Sequence, residues 1–133
     1  MTETEKMVAK FVNGLGGSRY RAIFDILEAN NLHPLGKSNT ATLLFQQKMS
    51  ANEVHDILAF RLGPPPVMSF PKSYWLRRAP ELSAHLSGFS YSEKPPISGP
   101  VSDSQYSAGQ IELSRTTQER VIEVCNRVCE ALG

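Results

Sequence analysis

Three histidines, two cysteines and many serines are the side chains from which this sequence could build a reaction centre. Their spacing argues against most of that chemistry. His33, His55 and His85 lie far apart, and none stands near a cysteine or in a metal-ligand spacing such as His-Glu-x-x-His. His55 and Asp56 are immediate neighbours in a stretch that reads as a helix, so their side chains point in different directions. The serines include no Gly-x-Ser-x-Gly nucleophile elbow. The sequence therefore predicts a protein that is not an enzyme, with no catalytic residues, no metal and no cofactor.

Cys125 and Cys129 sit four positions apart on the apolar side of a C-terminal helix. Buried thiols acting as small hydrophobes are the first reading. A second is a homodimer whose C-terminal helices pair along Val121, Cys125, Val128 and Leu132. A metal or redox pair ranks third, because no further Cys or His is close in sequence. The scarcity of cysteine also points away from a secreted, disulfide-stapled chain.

Two basic stretches are candidates for binding. In GGSRYR (16–21), Gly16, Gly17 and Ser18 precede a helix, and Arg19 and Arg21 flank Tyr20. Free N–H groups, the helix dipole and two guanidiniums are the parts of an anion site, although the Gly-Lys-Ser/Thr ending of a nucleotide loop is missing. The bland alternative is a glycine turn, a serine cap and solvated arginines. In PKSYWLRR (71–78), Lys72, Tyr74, Trp75, Arg77 and Arg78 occur with no acid between them. Such residues supply much of the affinity at protein interfaces. They also suit a single-stranded nucleic acid, with aromatics to stack on bases and cations to follow the backbone. A structural role competes with both, Trp75 fixing the proline-rich stretch onto the rest of the molecule.

The stretch TATLLFQQKMSANEVHDILAF (40–60) has the outline of two helices joined by a short turn. Leu43, Leu44, Met49, Val54 and Ile57 fall near the spacings of a helix-turn-helix. The chemistry does not follow the outline. The turn, Lys48 to Ala51, has no glycine, and the would-be reading helix carries Glu53 and Asp56 where phosphate contacts call for cations. Two core helices are the preferred reading, with DNA contact as the minor one.

The positioning elements are expected to be mainly helical. Thr2 or Thr4 caps a first helix to about Val12, and NGLGGS (13–18) ends it. A second helix runs from about Ser18 to Ala29, and LHPLGKSN (32–39) reads as a loop because of Pro34 and Gly36. Helices three and four follow within 40–62, the fourth opened by a capping box of Ser50 and Glu53, with Val54, Ile57, Leu58, Phe60 and Leu62 buried. Gly63 and Pro64-Pro65-Pro66 end it. Residues 63–115 read as a Pro/Ser-rich irregular segment with one short helix near Ala79–Leu86. Within it, 87–110 holds seven Ser, three Pro and three Gly, too little apolar surface to offset its ordering entropy. A C-terminal amphipathic helix spans 116–132, capped by Thr116 with Glu119.

Lys plus Arg number 14 against 13 Asp plus Glu, and hydrophobic residues make up 41% of the 133. That composition is globular, and the charge balance argues against a chain whose whole surface wraps nucleic acid or an anionic membrane. No apolar run approaches a bilayer span, and MTETEKMVAK is not a signal peptide. The expectation is an intracellular protein, cytoplasmic or nuclear, with no membrane partner.

These readings combine into a single mainly α domain: a small helical bundle in 1–62, an irregular segment, and a C-terminal helix. The expected function is a non-enzymatic protein-binding adaptor or regulatory protein, with a homodimer as the expected assembly. It would act through Lys72, Tyr74, Trp75, Arg77 and Arg78 or through the C-terminal helix. The alternative is a nucleic-acid-binding regulator using the basic residues of 71–78 with Arg19 and Arg21.

Overall fold

The computed structural model describes residues 2–14, 17–37, 39, 41–63, 66–75, 107–115 and 117–132. It overturns the expected helical bundle: the fold is mixed α/β, built on a five-stranded antiparallel sheet. The elements are α1 (Glu3–Val12), α2 (Gly17–Ala29), β1 (Leu32–Lys37), β2 (Thr42–Ser50), β3 (Glu53–Arg61), β4 (Val67–Pro71), the short α3 (Lys72–Trp75), β5 (Ser107–Glu112), a 3-10 turn (Leu113–Arg115) and α4 (Gln118–Leu132). The strands lie in chain order, β1-β2-β3-β4-β5, each antiparallel to the next.

The two N-terminal helices form where the sequence predicts them. Thr2 caps α1 in a reciprocal capping box with Glu5, which satisfies two backbone N–H groups that the first turn leaves free. The tight return into α2 requires glycine at position 17, since a Cβ there would lie 2.0 Å from the Val12 carbonyl oxygen. Helix α2 ends where the Asn30 amide donates to the Ile26 carbonyl and Asn31 turns the chain at φ 64°, a left-handed conformation that asparagine tolerates. At α4 the capping hydroxyl is that of Thr117, which accepts from the Arg120 N–H at 3.3 Å.

Residues 40–60 are where the helical reading fails. The predicted third and fourth helices are strands β2 and β3, so no helix-turn-helix exists there. The supposed capping box is the end of a hairpin: Ser50 pairs with Glu53 across the Ala51-Asn52 turn, and the Asn52 N–H approaches Ser50 Oγ at 3.4 Å. The ladder sets Phe45 opposite Leu58 and Gln46 opposite Asp56, leaving Ile57 as an extra residue on β3. A bulge of this kind brings Ile57 and Leu58 into the core side by side. The resulting spacing of Val54, Ile57 and Leu58 imitates a helix. LHPLGKSN, read as a loop, supplies edge strand β1, and the region read as irregular supplies β4 and β5. A proline is admissible in β1 because alternate N–H groups of an edge strand face away from the ladder and are not needed for it.

Register carries the packing. Gly36, Leu43, Phe60, Met68 and Ile111 form one row across all five strands, with Pro34, Phe45 and Leu58 in a parallel row. Helices α1, α2 and α4 cover this face. Phe24 of α2 meets Phe45 at 5.0 Å and Phe60 at 5.3 Å between ring centroids, and Phe11 of α1 meets Tyr20 edge-on at 4.9 Å. Ring pairs in such arrangements add about 0.5–1.5 kcal/mol each beyond the burial of area. Gly36 lets α1 approach β1, since a Cβ there would lie 2.9 Å from Met7 Cβ. Its N–H also donates to Thr4 Oγ1 at 3.0 Å.

Candidate functional site

The β2–β3 hairpin reaches further than its neighbours. Strand β1 stops at Leu32, opposite Gln47, and the β3–β4 ladder stops at the pair of Ala59 and Ser69. Residues 48–54 therefore extend past both flanking strands, with Lys48 opposite Val54 and a second irregularity between Lys48 and Ser50. At a rise of about 3.3 Å per residue, the three rungs beyond β1 project roughly 10 Å. Met49 is 57% exposed and Val54 41% exposed, the two highest values among the large hydrophobic side chains described as exposed. The fourth predicted helix placed Val54 and Leu62 in the core; both are exposed.

Helix α3 supports the base of this hairpin. The register that sets Ala59 opposite Ser69 would bring Pro71 opposite Ile57, and proline has no N–H to offer. The Ile57 carbonyl is taken instead by the Trp75 indole N–H at 2.7 Å. Trp75 is fully buried, edge-on to Phe70 at 6.2 Å and to Tyr74 at 4.9 Å. Tyr74 is half-buried and lies 5.3 Å from the His55 ring, whose Nε2 is 3.5 Å from Glu53 Oε1. The hairpin tip and α3 thus share one end of the molecule.

The sequence-predicted site residues separate into groups. Of the 71–78 stretch, Lys72 and Tyr74 lie on α3, Trp75 belongs to the core, and Arg77 and Arg78 lie outside the described residues. Arg19 is partly buried and donates from Nη1 to the Leu113 carbonyl at 2.6 Å, tying α2 to the 3-10 turn, while Arg21 is exposed. Val121, Cys125 and Val128, offered as a dimer seam, are fully buried within the chain, and Leu132 packs partly against the same core. The Cys125 thiol lies 4.0 Å from the Met68 sulfur. Burial, and then the neighbouring Cys129, push the Cys125 pKa far up; burial also raises that of Cys129. The Tyr20 phenol is raised by burial against an opposing pull from Arg19. Among the described residues, no three His, Cys, Asp or Glu side chains gather as a metal site would require. No helix among them is long and apolar enough to cross a membrane.

The helical reading assigns Val54 to a core and Met49 to an interhelical turn, so neither stands out in it as an exposed apolar residue. The available signal was local: each stands alone between polar neighbours, in KMS and EVH, on either side of a two-residue turn.

The architecture is defined at the level of class: a five-stranded antiparallel meander with three helices on one face. No protein-family model, no curated protein and no solved structure matches the chain.

Proposed function

We propose that this chain is a non-enzymatic protein-binding module whose contact surface is the tip of the β2–β3 hairpin, with Tyr74 and His55 at its base. The observation that carries the reading is the pair of apolar side chains, Met49 and Val54, held out on a hairpin that outruns its neighbouring strands. An unbranched thioether adapts to irregular partner surfaces, and apolar contacts at an interface gain what a core contact gains. Among the described residues, the placement of the groups with displaced titration supports the non-enzymatic part. Tyr20, Cys125 and Cys129 are packed among core residues, whereas tuned acids and bases gather at a cleft.

The test is site-specific photocrosslinking in the native host from positions 49 and 54, with exposed position 33 on β1 as control. The expected result is a discrete protein adduct from both tip positions, the one from position 49 lost in Val54→Ser and the one from position 54 lost in Met49→Ser, with the melting temperature unchanged. Adducts independent of the tip, or none, would refute the reading. A labelled single-stranded oligonucleotide whose binding falls steeply with salt would support the nucleic-acid alternative instead.

A further inference from the structure

Among the described residues, sulfur occurs in Met7, Met49, Met68, Cys125 and Cys129, and Met49 differs from the others in access, chemistry and backbone setting. We infer that Met49 is an oxidation site, and that a peroxide, by converting its thioether to the sulfoxide, switches off the contact surface at the hairpin tip. The inference rests on reading that tip as a binding surface and adds its regulation.

Access comes first. Met7 packs into the core from α1 and Met68 is fully buried on β4, whereas Met49 stands out in solvent. The competing thiols are shielded. Cys125 is buried and Cys129 half-buried, and burial keeps both protonated, while the thiolate is the form that peroxides oxidise. The backbone supplies the third observation. Lys48 pairs with Val54 and Ser50 with Glu53, so Met49 falls at the irregularity between them and takes no cross-strand partner in the β2–β3 ladder. An irregularity of this kind re-aims a side chain, and a change of polarity there leaves the ladder intact.

The step balances with hydrogen peroxide alone. The sulfur attacks one peroxide oxygen, the O–O bond breaks, an S–O bond forms and water leaves; sulfur gives up two electrons and the peroxide takes them. The product is polar and chiral where the thioether was apolar. Buried against a partner without a donor, the new oxygen forfeits its hydrogen bonds to water, which weakens binding about tenfold. Methionine sulfoxide reductases, one for each epimer, reverse the step: two thiols supply the electrons, becoming a disulfide, and the oxygen leaves as water.

The test uses the full chain with a photoreactive residue at position 54. It is treated with dilute hydrogen peroxide, freed of oxidant by catalase, mapped by peptide mass spectrometry, and irradiated in extract of the native host. Oxygen is expected on Met49 before Met7 or Met68, with the melting temperature unchanged and the adduct from position 54 reduced about tenfold. Both reductases with dithiothreitol should restore the adduct. Met49→Leu, apolar but without sulfur, should give the adduct equally before and after peroxide. An adduct that persists once Met49 carries oxygen overturns the switch and leaves the contact surface standing. Equal loss of the adduct in peroxide-treated Met49→Leu, or a lower melting temperature on oxidation, also overturns the switch. So does oxygen on Met7 or Met68 as early as on Met49. Absence of any adduct from the untreated protein refutes the contact surface itself, and the switch with it.

Discussion

Replacing Trp75 by Phe tests the central packing argument, because it removes the indole N–H while keeping an aromatic ring in the same place. In the wild type that N–H satisfies the Ile57 carbonyl at 2.7 Å, at the point where Pro71 cannot. Leaving a buried carbonyl without a partner costs about 1–3 kcal/mol, and the smaller ring gives up part of the contact with Phe70 and Tyr74. Trp75→Phe should therefore destabilise the fold by roughly 2–3 kcal/mol. Trp75→Ala, which also opens a cavity, should cost about 3–5 kcal/mol. A domain typically holds only about 5–15 kcal/mol in total, so the alanine variant should be close to unfolding. Urea denaturation followed by far-ultraviolet circular dichroism measures both, since Trp75 is the sole tryptophan and its loss silences fluorescence. In the wild type the same residue should emit at short wavelength and resist quenching by iodide. A cost under about 0.5 kcal/mol for Trp75→Phe, or emission like that of free tryptophan, would refute the placement of this side chain in the core.

Further outcomes follow from backbone and burial. Ala41 sits at φ 51°, so Ala41→Gly should raise stability by up to about 1 kcal/mol in urea titration, and Ala41→Val should lower it. Gly36→Ala should cost about 1–3 kcal/mol in the same assay, because its methyl would meet Met7 Cβ at 2.9 Å and Thr4 Cα at 3.0 Å. Cys125 should resist Ellman's reagent until the protein unfolds, with Cys129 reacting first. Both thiols hold their protons more tightly when folded than the ordinary value of 9.0 would allow. Their contribution to stability is thus complete below about pH 9 and declines above it, by up to about 1.4 kcal/mol per pH unit for Cys125. Cys125→Ala should flatten that alkaline decline in melts recorded from pH 8 to 10.

The three long helices were legible because each repeats its apolar positions at helical spacing and begins at a capping threonine, serine or glycine turn. The strands were not, and the reasons are local. Pro34 and Gly36 argue against regular structure in an isolated stretch, yet at a sheet edge one is tolerated and the other gives α1 room to approach. Strand β3 departs from strict alternation through its bulge, and a hairpin turn between Ser50 and Glu53 has the same spelling as a helix cap. Ser107–Glu112 looks too poor in apolar residues to order itself; it gains order by pairing with β4, a contact between residues some forty positions apart. The proposed contact surface was half visible. Tyr74 was singled out by its composition, but its position beside His55 depends on β3 being extended.

The link from Arg19 to the Leu113 carbonyl joins residues 94 positions apart, and α4 packs against α2 just beyond it. During synthesis, the oily side of α2 emerges from the ribosome long before Val121, Cys125 and Val128 exist to cover it. A nascent chain halted before α4 would therefore present an unfinished, adhesive surface, and the cell must shield that surface or clear the chain until translation has delivered the final helix.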